Sequence, residues 1–298
     1  MTSPHPSPLS SLPLSVWLGP VLALRLHEVG MDLMLRRRAK LTGLACVLVR
    51  GLLGEQLRAA WCLTGAPQCT GCPVAGECDF ARFFHGGGPH PFWLQGVPAD
   101  DVLPAGRRVQ ARLCLLPPLH RAAPLLTEAL QRALLAVLPA ADLVRTQQAT
   151  LPVAALLPEV SGGAVRLWTE TPLDLRGSWD LCRTQCPQAP WFALLLRAGV
   201  RRLDGLLRLC RPPEEPVPRV ALPDLRGLQV QGRLVPWRGS RYSHRQEQRL
   251  LLRGLVGEVL LQGDPVPEVL PLLRVLAVTG VGKATAFGLG SMRLESGS

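Results

Sequence analysis

The C-terminal end of this chain places its segments in an order that restricts the fold. A β-rich run with glycine punctuation occupies 241–263, and 267–278 has the pattern of a short helix with Pro267 near its start. The glycine-rich segment "GVGKATAFGLG" follows at 280–290, and "SMRLE" has the pattern of a last strand. With a strand–helix–strand series nearer the N-terminus, this order predicts an α+β protein of two units, each with a helix on one face of an antiparallel sheet.

The rest of the chain predicts a division into four parts. These are a Ser/Pro-rich disordered tail (1–13), an N-terminal domain (14–120), a helical and irregular middle region with a linker (121–218), and a C-terminal domain (219–298). Within them we expect a strand at 14–26, a helix at 44–62, an irregular cysteine-bearing insertion at 62–104, a strand at about 107–116, and an amphipathic helix at 124–139 with Thr127 as its cap.

The glycine-rich segment does not match the two common phosphate-binding patterns. Ala277 stands where a P-loop needs its first glycine, Ala284 where it needs Ser or Thr, and Thr285 where the dinucleotide fingerprint needs its third glycine. Backbone N–H groups and Lys283 could still be offered to an anion. The alternative is a glycine-rich turn between a helix and the last strand.

The balance of charge points to an anionic partner. Lys and Arg number 33 against 22 Asp and Glu, a formal net charge of +11. Nucleic acid is the plainest explanation of such an excess, although a ribosomal or membrane-surface role fits the same number.

No segment is predicted to cross a membrane. The apolar stretch 12–24 contains Pro13 and Pro20 and ends at Arg25, short of the ~20 residues that a span needs. It has no basic region before it, so we do not expect a signal peptide. We expect a cytoplasmic protein whose nine cysteines are reduced or metal-bound.

Three elements of 241–294 resemble one known family. They are the R-Y-S-x-R-Q element (241–246), the G-L-V-G-E-V strand (254–259) and the A-F-G-L-G ending of the glycine-rich segment (286–290). These elements and their spacing resemble the CRISPR precursor-RNA-processing endoribonucleases, the sixth Cas protein family within the RAMP superfamily. The helix "LVRGLLGEQLRAAWC" (48–62), followed by "CDFARFF", resembles the N-terminal part of the same group.

The resemblance implies a fold and an activity. The fold would be tandem ferredoxin-like (RRM-like, RAMP) domains with a cysteine-bearing insertion. The activity would be binding of the CRISPR repeat hairpin and cleavage of the precursor RNA, with no cofactor and no metal. The ribose 2′-hydroxyl would attack the phosphate, a 2′,3′-cyclic phosphate would form, and the enzyme would keep its guide RNA. Partners would be CRISPR RNA and other Cas proteins.

Such a reaction needs a base, an acid and a positive charge beside the negatively charged phosphorane. Histidine suits the first two roles near neutral pH. The candidates are His27, because a catalytic histidine of the resembled family often lies in this region, together with His244, Tyr242 and the cation Arg38. A histidine-free centre, in which arginines such as Arg25, Arg36 and Arg241 stabilise the charge, is the alternative.

RNA binding is expected along the basic and glycine-rich elements. Trp237 could stack on a base or could simply pack in the core. The residues expected to contact RNA are Arg25, Arg36, Arg37, Arg241, Arg245, Arg249, Gly280, Gly282, Lys283, Gly288 and Gly290.

Four cysteines lie close together in the insertion. Cys69 and Cys72 form a C-x-x-C knuckle, and Cys62 and Cys78 could complete a tetrahedral zinc site. A set of buried or free thiols is the alternative. For the whole chain, the alternatives to an endonuclease are a non-cleaving crRNA-binding subunit of a CRISPR effector complex and an unspecified basic nucleic-acid-binding protein.

Overall fold

The computed structural model describes residues 11–66, 68–85, 89–100, 102–175, 190–212, 215, 217–243 and 248–297. The predicted disordered tail therefore lies mostly outside the described residues, as do His244 and Arg245. Residues 12–13 do have a partner, because they form a short parallel pair with 220–221.

Twelve strands and seven α-helices are described in these parts of the chain. The strands are β1 Leu12–Pro13, β2 Arg25–Leu35, β3 Ala39–Lys40, β4 Phe92–Gln95, β5 Val102–Leu103, β6 Arg108–Leu115, β7 Ala141–Pro152, β8 Ala164–Thr169, β9 Val220–Ala221, β10 Gln229–Ser243, β11 Gln248–Gln262 and β12 Met292–Ser296. The α-helices are α1 Leu14–Trp17, α2 Gly19–Leu22, α3 Ala45–Trp61, α4 Asp79–His85, α5 Ala123–Val137, α6 Pro190–Cys210 and α7 Val266–Thr279, with 3₁₀ turns at Pro117–Ala122, Val153–Leu156 and Thr285–Phe287.

The first domain is a four-stranded antiparallel sheet with helices packed on one face. Its strand order is β4-β6-β2-β7, and the chain runs β2-α3-β4-β6-α5-β7, which is the ferredoxin-like βαββαβ topology. Alternate residues of β2 and β6, such as Val29, Met31 and Leu113, are buried with the apolar faces of α3 and α5. The buried alternate residues of the strands and the apolar faces of the two helices therefore form one core.

The second domain repeats this topology. Its strand order is β10-β11-β8-β12, and the chain runs β8-α6-β10-β11-α7-β12. Strands β10 and β11 form a long hairpin in which Gln229 pairs with Gln262 and Ser243 with Gln248. The expected tandem ferredoxin-like architecture is confirmed.

The expected domain boundaries were wrong. Helix α5 and strand β7 complete the first domain, so it extends to about residue 152 rather than 120, and β8 and α6 begin the second domain within the expected middle region. Strand β7 is an edge strand whose middle residues are mostly exposed and polar, so its sequence lacks the apolar alternation that marks a half-buried strand.

Three local predictions also differ from the structure. The expected strand at 14–26 is two short helical turns, α1 and α2, whose Trp17 and Val21 are buried. The insertion is not wholly irregular, since its β4 is a strand of the first sheet. Thr127 does not cap its helix: its hydroxyl donates to the carbonyl of Ala123, one turn back inside α5.

Polar contacts join the two domains at the end of α7. The indole Nε1 of Trp93 donates to the carbonyl of Val278 at 2.9 Å, and Gln95 Nε2 donates to the carbonyls of Ala277 and Val278 at 3.0 and 2.9 Å. These bonds use carbonyls at the C-terminal end of a helix, which have no partner within the helix. They fix α7, and the glycine-rich segment after it, against strand β4.

None of the helices that the structure describes is both long and apolar enough to traverse a bilayer.

Candidate nucleic-acid interface

The glycine-rich segment lies between the two domains, and most of it is buried. Gly280, Gly288 and Gly290 are buried, as are Val281 and Leu289. A Cβ on Gly288 would lie 2.9 Å from Cys46 Cβ of α3, and one on Gly290 would lie 2.1 Å from the carbonyl oxygen of Val281. Both glycines have a φ of +81°, so close approach and backbone conformation each require glycine here.

This burial corrects part of the expected RNA interface. Gly280, Gly288 and Gly290 join the domains and are not open to a ligand. The segment is accessible at Lys283, which is exposed, and partly at Gly282, Ala284 and Phe287, which are half-buried. The backbone N–H of Lys283 donates to the carbonyl of Asp174 at 3.0 Å, which holds this part of the segment at the surface.

A cleft of about 490 Å³ opens beside this accessible part. Helix α6 forms one wall and the glycine-rich segment forms the other. The lining residues with polar or charged side chains are His90, Asp174, Arg201, Arg202, Lys283 and Thr285. Three cations against one carboxylate make the cleft basic.

Arg202 is a buried cation at the inner end of this cleft. Its side chain lies over the ring of Trp93 at 5.2 Å, and Nη2 donates to the carbonyl of Thr279 at 3.4 Å. Its Nε is buried without a hydrogen-bond partner, and no described carboxylate forms an ion pair with it. Burial lowers its pKa from the ordinary value to about 10, so the guanidinium remains charged at neutral pH.

The guanidinium groups of two further arginines both lie over the ring of Phe287 in the glycine-rich segment. The guanidinium carbon of Arg241 lies 4.4 Å from the ring centroid, and that of Arg50 lies 5.0 Å from it. Arg50 is buried, and burial followed by the nearby charge of Arg241 lowers its pKa to about 9. Burial also lowers the pKa of Arg241. Two cations with no described carboxylate paired to them form a site that attracts anions.

A pair of histidines lies at one end of the first sheet. His27 of β2 and His120 of the 3₁₀ turn before α5 have ring centroids 5.8 Å apart. The Nε2–H of His120 donates to the carbonyl of Leu115 at 3.2 Å, which leaves its Nδ1 with a lone pair. His120 lies in a short 3₁₀ turn, and no local sequence pattern marks it as a candidate.

Hydrogen bonds orient His27 within this pair. Its Nδ1 lies 2.8 Å from the Thr150 hydroxyl, and its Nε2 lies 3.3 Å from Gln148 Oε1. The amide nitrogen of Gln148 in turn donates to the Thr127 hydroxyl at 3.1 Å. Arg25 is exposed beside the pair and donates to the carbonyl of Thr150 at 3.1 Å.

The pKa of His120 is lowered from its ordinary value. Burial is the largest cause, and the hydrogen bond to Leu115 opposes it. The charges of His27 and Arg25 add to the lowering. His120 is therefore held in its neutral form more firmly than an ordinary surface histidine.

His27 and Phe92, the ring over which Arg50 lies, belong to one row of paired residues across the first sheet. Phe92 pairs with Leu115 and Leu115 pairs with His27, so two strand spacings of ~4.8 Å separate Phe92 from His27 by roughly 10 Å. Arg50 lies 5.3 Å over the Phe92 ring on this row. The basic and imidazole groups therefore share one end of the sheet.

The basic patch after β2 is a separate surface. Arg36, Arg37 and Arg38 are exposed, and Arg36 forms an ion pair with Asp142 that raises the pKa of its guanidinium. Arg37, Arg38 and Lys40 line a second cleft of about 570 Å³. The expectation that Arg38 is catalytic stays a prediction.

Two of the remaining predicted residues, Tyr242 and Arg249, lie toward the described end of the long hairpin. Tyr242 of β10 pairs in register with Arg249 of β11, while His244 and Arg245 lie outside the described residues. Trp237 lies lower on β10, where it is half-buried and packs against the first-domain core. Its position agrees with the packing role, and stacking on a base stays a prediction.

The four cysteines of the insertion are partly exposed free thiols. The Thr64 hydroxyl lies 3.5 Å from the sulfur of Cys72 and 3.9 Å from that of Cys62. Burial and then the neighbouring thiols of Cys78 and Cys62 raise the pKa of Cys69. In the part of the chain that the structure describes, no three His, Cys, Asp or Glu side chains are placed to hold one metal ion, so the zinc site stays a prediction.

Two family models match the two domains. Residues 167–292, within the second ferredoxin-like domain, match the model described as CRISPR-associated endoribonuclease Cas6. Residues 24–147, within the first, match AF_1859_N, described as an N-terminal domain. No curated protein matches the chain at a significant level.

Several solved structures are similar to this chain at low sequence identity. A partial Cas6-RT-Cas1–Cas2 complex matches with a TM-score of 0.50 and 11% identity over 91% of this chain, and this chain spans 46% of that one. A Cas6 product complex matches with a TM-score of 0.48 and 18% identity over 90% of this chain and 99% of that one. A Cas6-related protein from Pyrococcus furiosus matches with a TM-score of 0.45 and 11% identity, over 91% and 98% of the two chains.

The fold and the cleft define a tandem ferredoxin-like protein with a basic cleft. Its second domain, over residues 167–292, is similar to the family of CRISPR-associated endoribonuclease Cas6.

Proposed function

We propose that this protein binds the hairpin of a CRISPR repeat and cleaves the precursor RNA by attack of the ribose 2′-hydroxyl, without a metal ion. The family match supports cleavage of CRISPR RNA. The observation that carries the chemistry is the pair formed by His27 and His120 beside the exposed cation Arg25.

The pair supplies a base and an acid in one place. Nδ1 of neutral His120 accepts the proton of the 2′-hydroxyl as its oxygen bonds to phosphorus. His27 donates a proton to the 5′-oxygen as the bond from phosphorus to that oxygen breaks. Arg25 balances the charge on the phosphorane. The products are a 2′,3′-cyclic phosphate and a 5′-hydroxyl.

Arginines are the alternative centre, with Tyr242, His244 and Arg38 as the remaining candidates. Positive charge and positioning lower the barrier even without proton transfer, although the rate is then slower. Activity that survives loss of both histidines would assign the reaction to this second set of residues.

RNA binding rests on the cations that have no described carboxylate partner. Lys283 is exposed and Arg241 and Gly282 are half-buried at the junction of the domains. Arg249 of β11 and Arg245 are proposed to add further RNA contacts. A protein with several phosphate contacts releases its product slowly, so we expect the cleaved guide RNA to stay bound. Other Cas proteins are proposed as partners, since a fold neighbour is a Cas6-RT-Cas1–Cas2 complex.

We also propose a structural zinc ion in the insertion, bound by Cys62, Cys69, Cys72 and Cys78. Coordination would require these side chains to turn toward one point, which their partial exposure allows. Elemental analysis of the purified protein should find about one zinc per chain, lost in a Cys69→Ser/Cys72→Ser variant. Absence of metal from the wild-type protein would contradict this.

One assay separates the enzyme from a non-cleaving crRNA-binding subunit. The purified protein is incubated with CRISPR repeat RNA in EDTA. We expect one cut that ends in a 2′,3′-cyclic phosphate. Tight binding without a cut would indicate the binding subunit, and equal affinity for an unrelated hairpin would contradict both.

A further inference from the structure

The cleft beside α6 contains a buried cation whose charge the described residues leave unbalanced. Arg202 is 8% exposed, and the one described hydrogen bond of its side chain, to the carbonyl of Thr279, is 3.4 Å long. A guanidinium has five N–H donors, and its Nε is both buried and without a partner. Burying a charge without a partner is costly, so an anion arriving in the cleft would remove a penalty that the free protein carries.

The accessible rim of the cleft adds positive charge. Arg201, next to Arg202 on α6, and Lys283 on the opposite wall are both exposed. Asp174 also lines the cleft and has interactions of its own, as has His90. The cleft thus has a cation at its base and one on each wall.

From this arrangement we infer that the cleft is a phosphate site, which takes up one backbone phosphate of the RNA strand between Arg201, Arg202 and Lys283. This inference rests on the proposed function and adds a definite contact to it. The cleft is open at the surface, and its volume of about 490 Å³ is large enough to admit a strand with its flanking sugars. A guanidinium suits this role because its planar fork pairs with two phosphate oxygens.

The test combines protein variants with neutralised RNA. Repeat RNA is prepared as a series, each member with one uncharged methylphosphonate, and binding is measured by fluorescence anisotropy at several salt concentrations. The variants are Lys283→Ala and Arg201→Ala, both at exposed side chains, and Arg202→Met. Arg208→Ala is the matched control, because Arg208 is an exposed arginine on the same helix that pairs with Asp204.

We expect one methylphosphonate position to weaken binding to the wild-type protein about tenfold and to weaken binding to the Lys283→Ala variant clearly less, because one of the three cations around the phosphate is then missing. The slope of log affinity against log salt should fall by about 0.7 to 0.9 in Lys283→Ala and Arg201→Ala, and remain unchanged in Arg208→Ala. If Arg202→Met does not fold, the two exposed variants still decide the question.

Two results would overturn this inference and leave the proposed function standing. One is that the wild-type protein binds repeat RNA but no methylphosphonate position has an effect that depends on Lys283. The other is that free AMP binds in the cleft while the affinity for RNA does not depend on the cleft residues. If the wild-type protein does not prefer repeat RNA at all, the proposed function and this inference fail together.

Discussion

The imidazole rings of His27 and His120 lie 5.8 Å apart and are tilted by 49° to each other, although 92 residues separate them in the sequence. Strand β2 places one ring and the 3₁₀ turn before α5 places the other, and both follow from the ferredoxin-like topology of the first domain. Hydrogen bonds to Thr150 and Leu115 hold the rings at one end of the sheet.

Loss of either histidine should slow the reaction without weakening RNA binding. We expect His27→Ala and His120→Ala each to lower the single-turnover cleavage rate about a hundredfold or more, because each removes one proton transfer. The double variant should be little slower than either single variant, since the two residues act as a unit. Arg132→Ala, which removes an exposed helix residue paired with Glu128, is the control. Full activity in both single variants would refute the pair.

The pH dependence of cleavage should follow the lowered pKa of His120. A base must be neutral to act, so the rate should fall as pH falls through the pKa of His120, which lies below its ordinary value of 6.5. His120→Gln should lose this acidic limb. A wild-type midpoint above the ordinary value would contradict the assignment, and a single-turnover pH series measures it.

Arg241 should contribute to RNA affinity. Replacement by Ala should weaken binding of repeat RNA and reduce its salt slope by roughly one, because one phosphate contact is lost. The stability of the fold should change little, since the loss also removes repulsion on Arg50. Arg226→Ala, an exposed arginine paired with Asp224, is a suitable control. Unchanged affinity in Arg241→Ala would show that the RNA docks elsewhere.

The glycine-rich segment should matter for stability before it matters for binding. Gly290→Ala should lower the free energy of unfolding by about 1–3 kcal/mol, because its φ is +81° and the new Cβ would lie 2.1 Å from a carbonyl oxygen. Gly51→Ala is the control, since Gly51 is exposed on α3 with open space around it and should stabilise by about 0.5–1 kcal/mol. Thermal unfolding of both variants measures the contrast, and equal melting temperatures would contradict it.

The sequence predicted the helices and strands of the C-terminal end closely, because strong apolar periodicity and glycine punctuation mark them. The expected helix 267–278 is Val266–Thr279, and the expected final strand is Met292–Ser296. The same glycines misled the site prediction. A pattern of glycines shows where the backbone turns or approaches another group closely, but not whether that group belongs to a ligand or to the protein itself.

The buried cations were harder to predict. Arg50 lies on the apolar stripe of α3 with Val49, Leu53 and Leu57, and this position could have marked it as buried. Nothing local could have brought His120 to His27, or Arg202 to Trp93, because those contacts depend on how strands from distant segments pair and how the two domains dock.

Attack by the ribose 2′-hydroxyl is tested most sharply with a repeat RNA that carries a single 2′-deoxy substitution at the nucleotide supplying the nucleophile. This RNA is incubated with the protein in EDTA, beside the all-ribose RNA. We expect a cut in the all-ribose RNA that ends in a 2′,3′-cyclic phosphate, and no cut at that position in the substituted RNA. Cleavage of the substituted RNA at the same position, or cleavage of the all-ribose RNA that stops in EDTA and resumes with Mg²⁺, would contradict it.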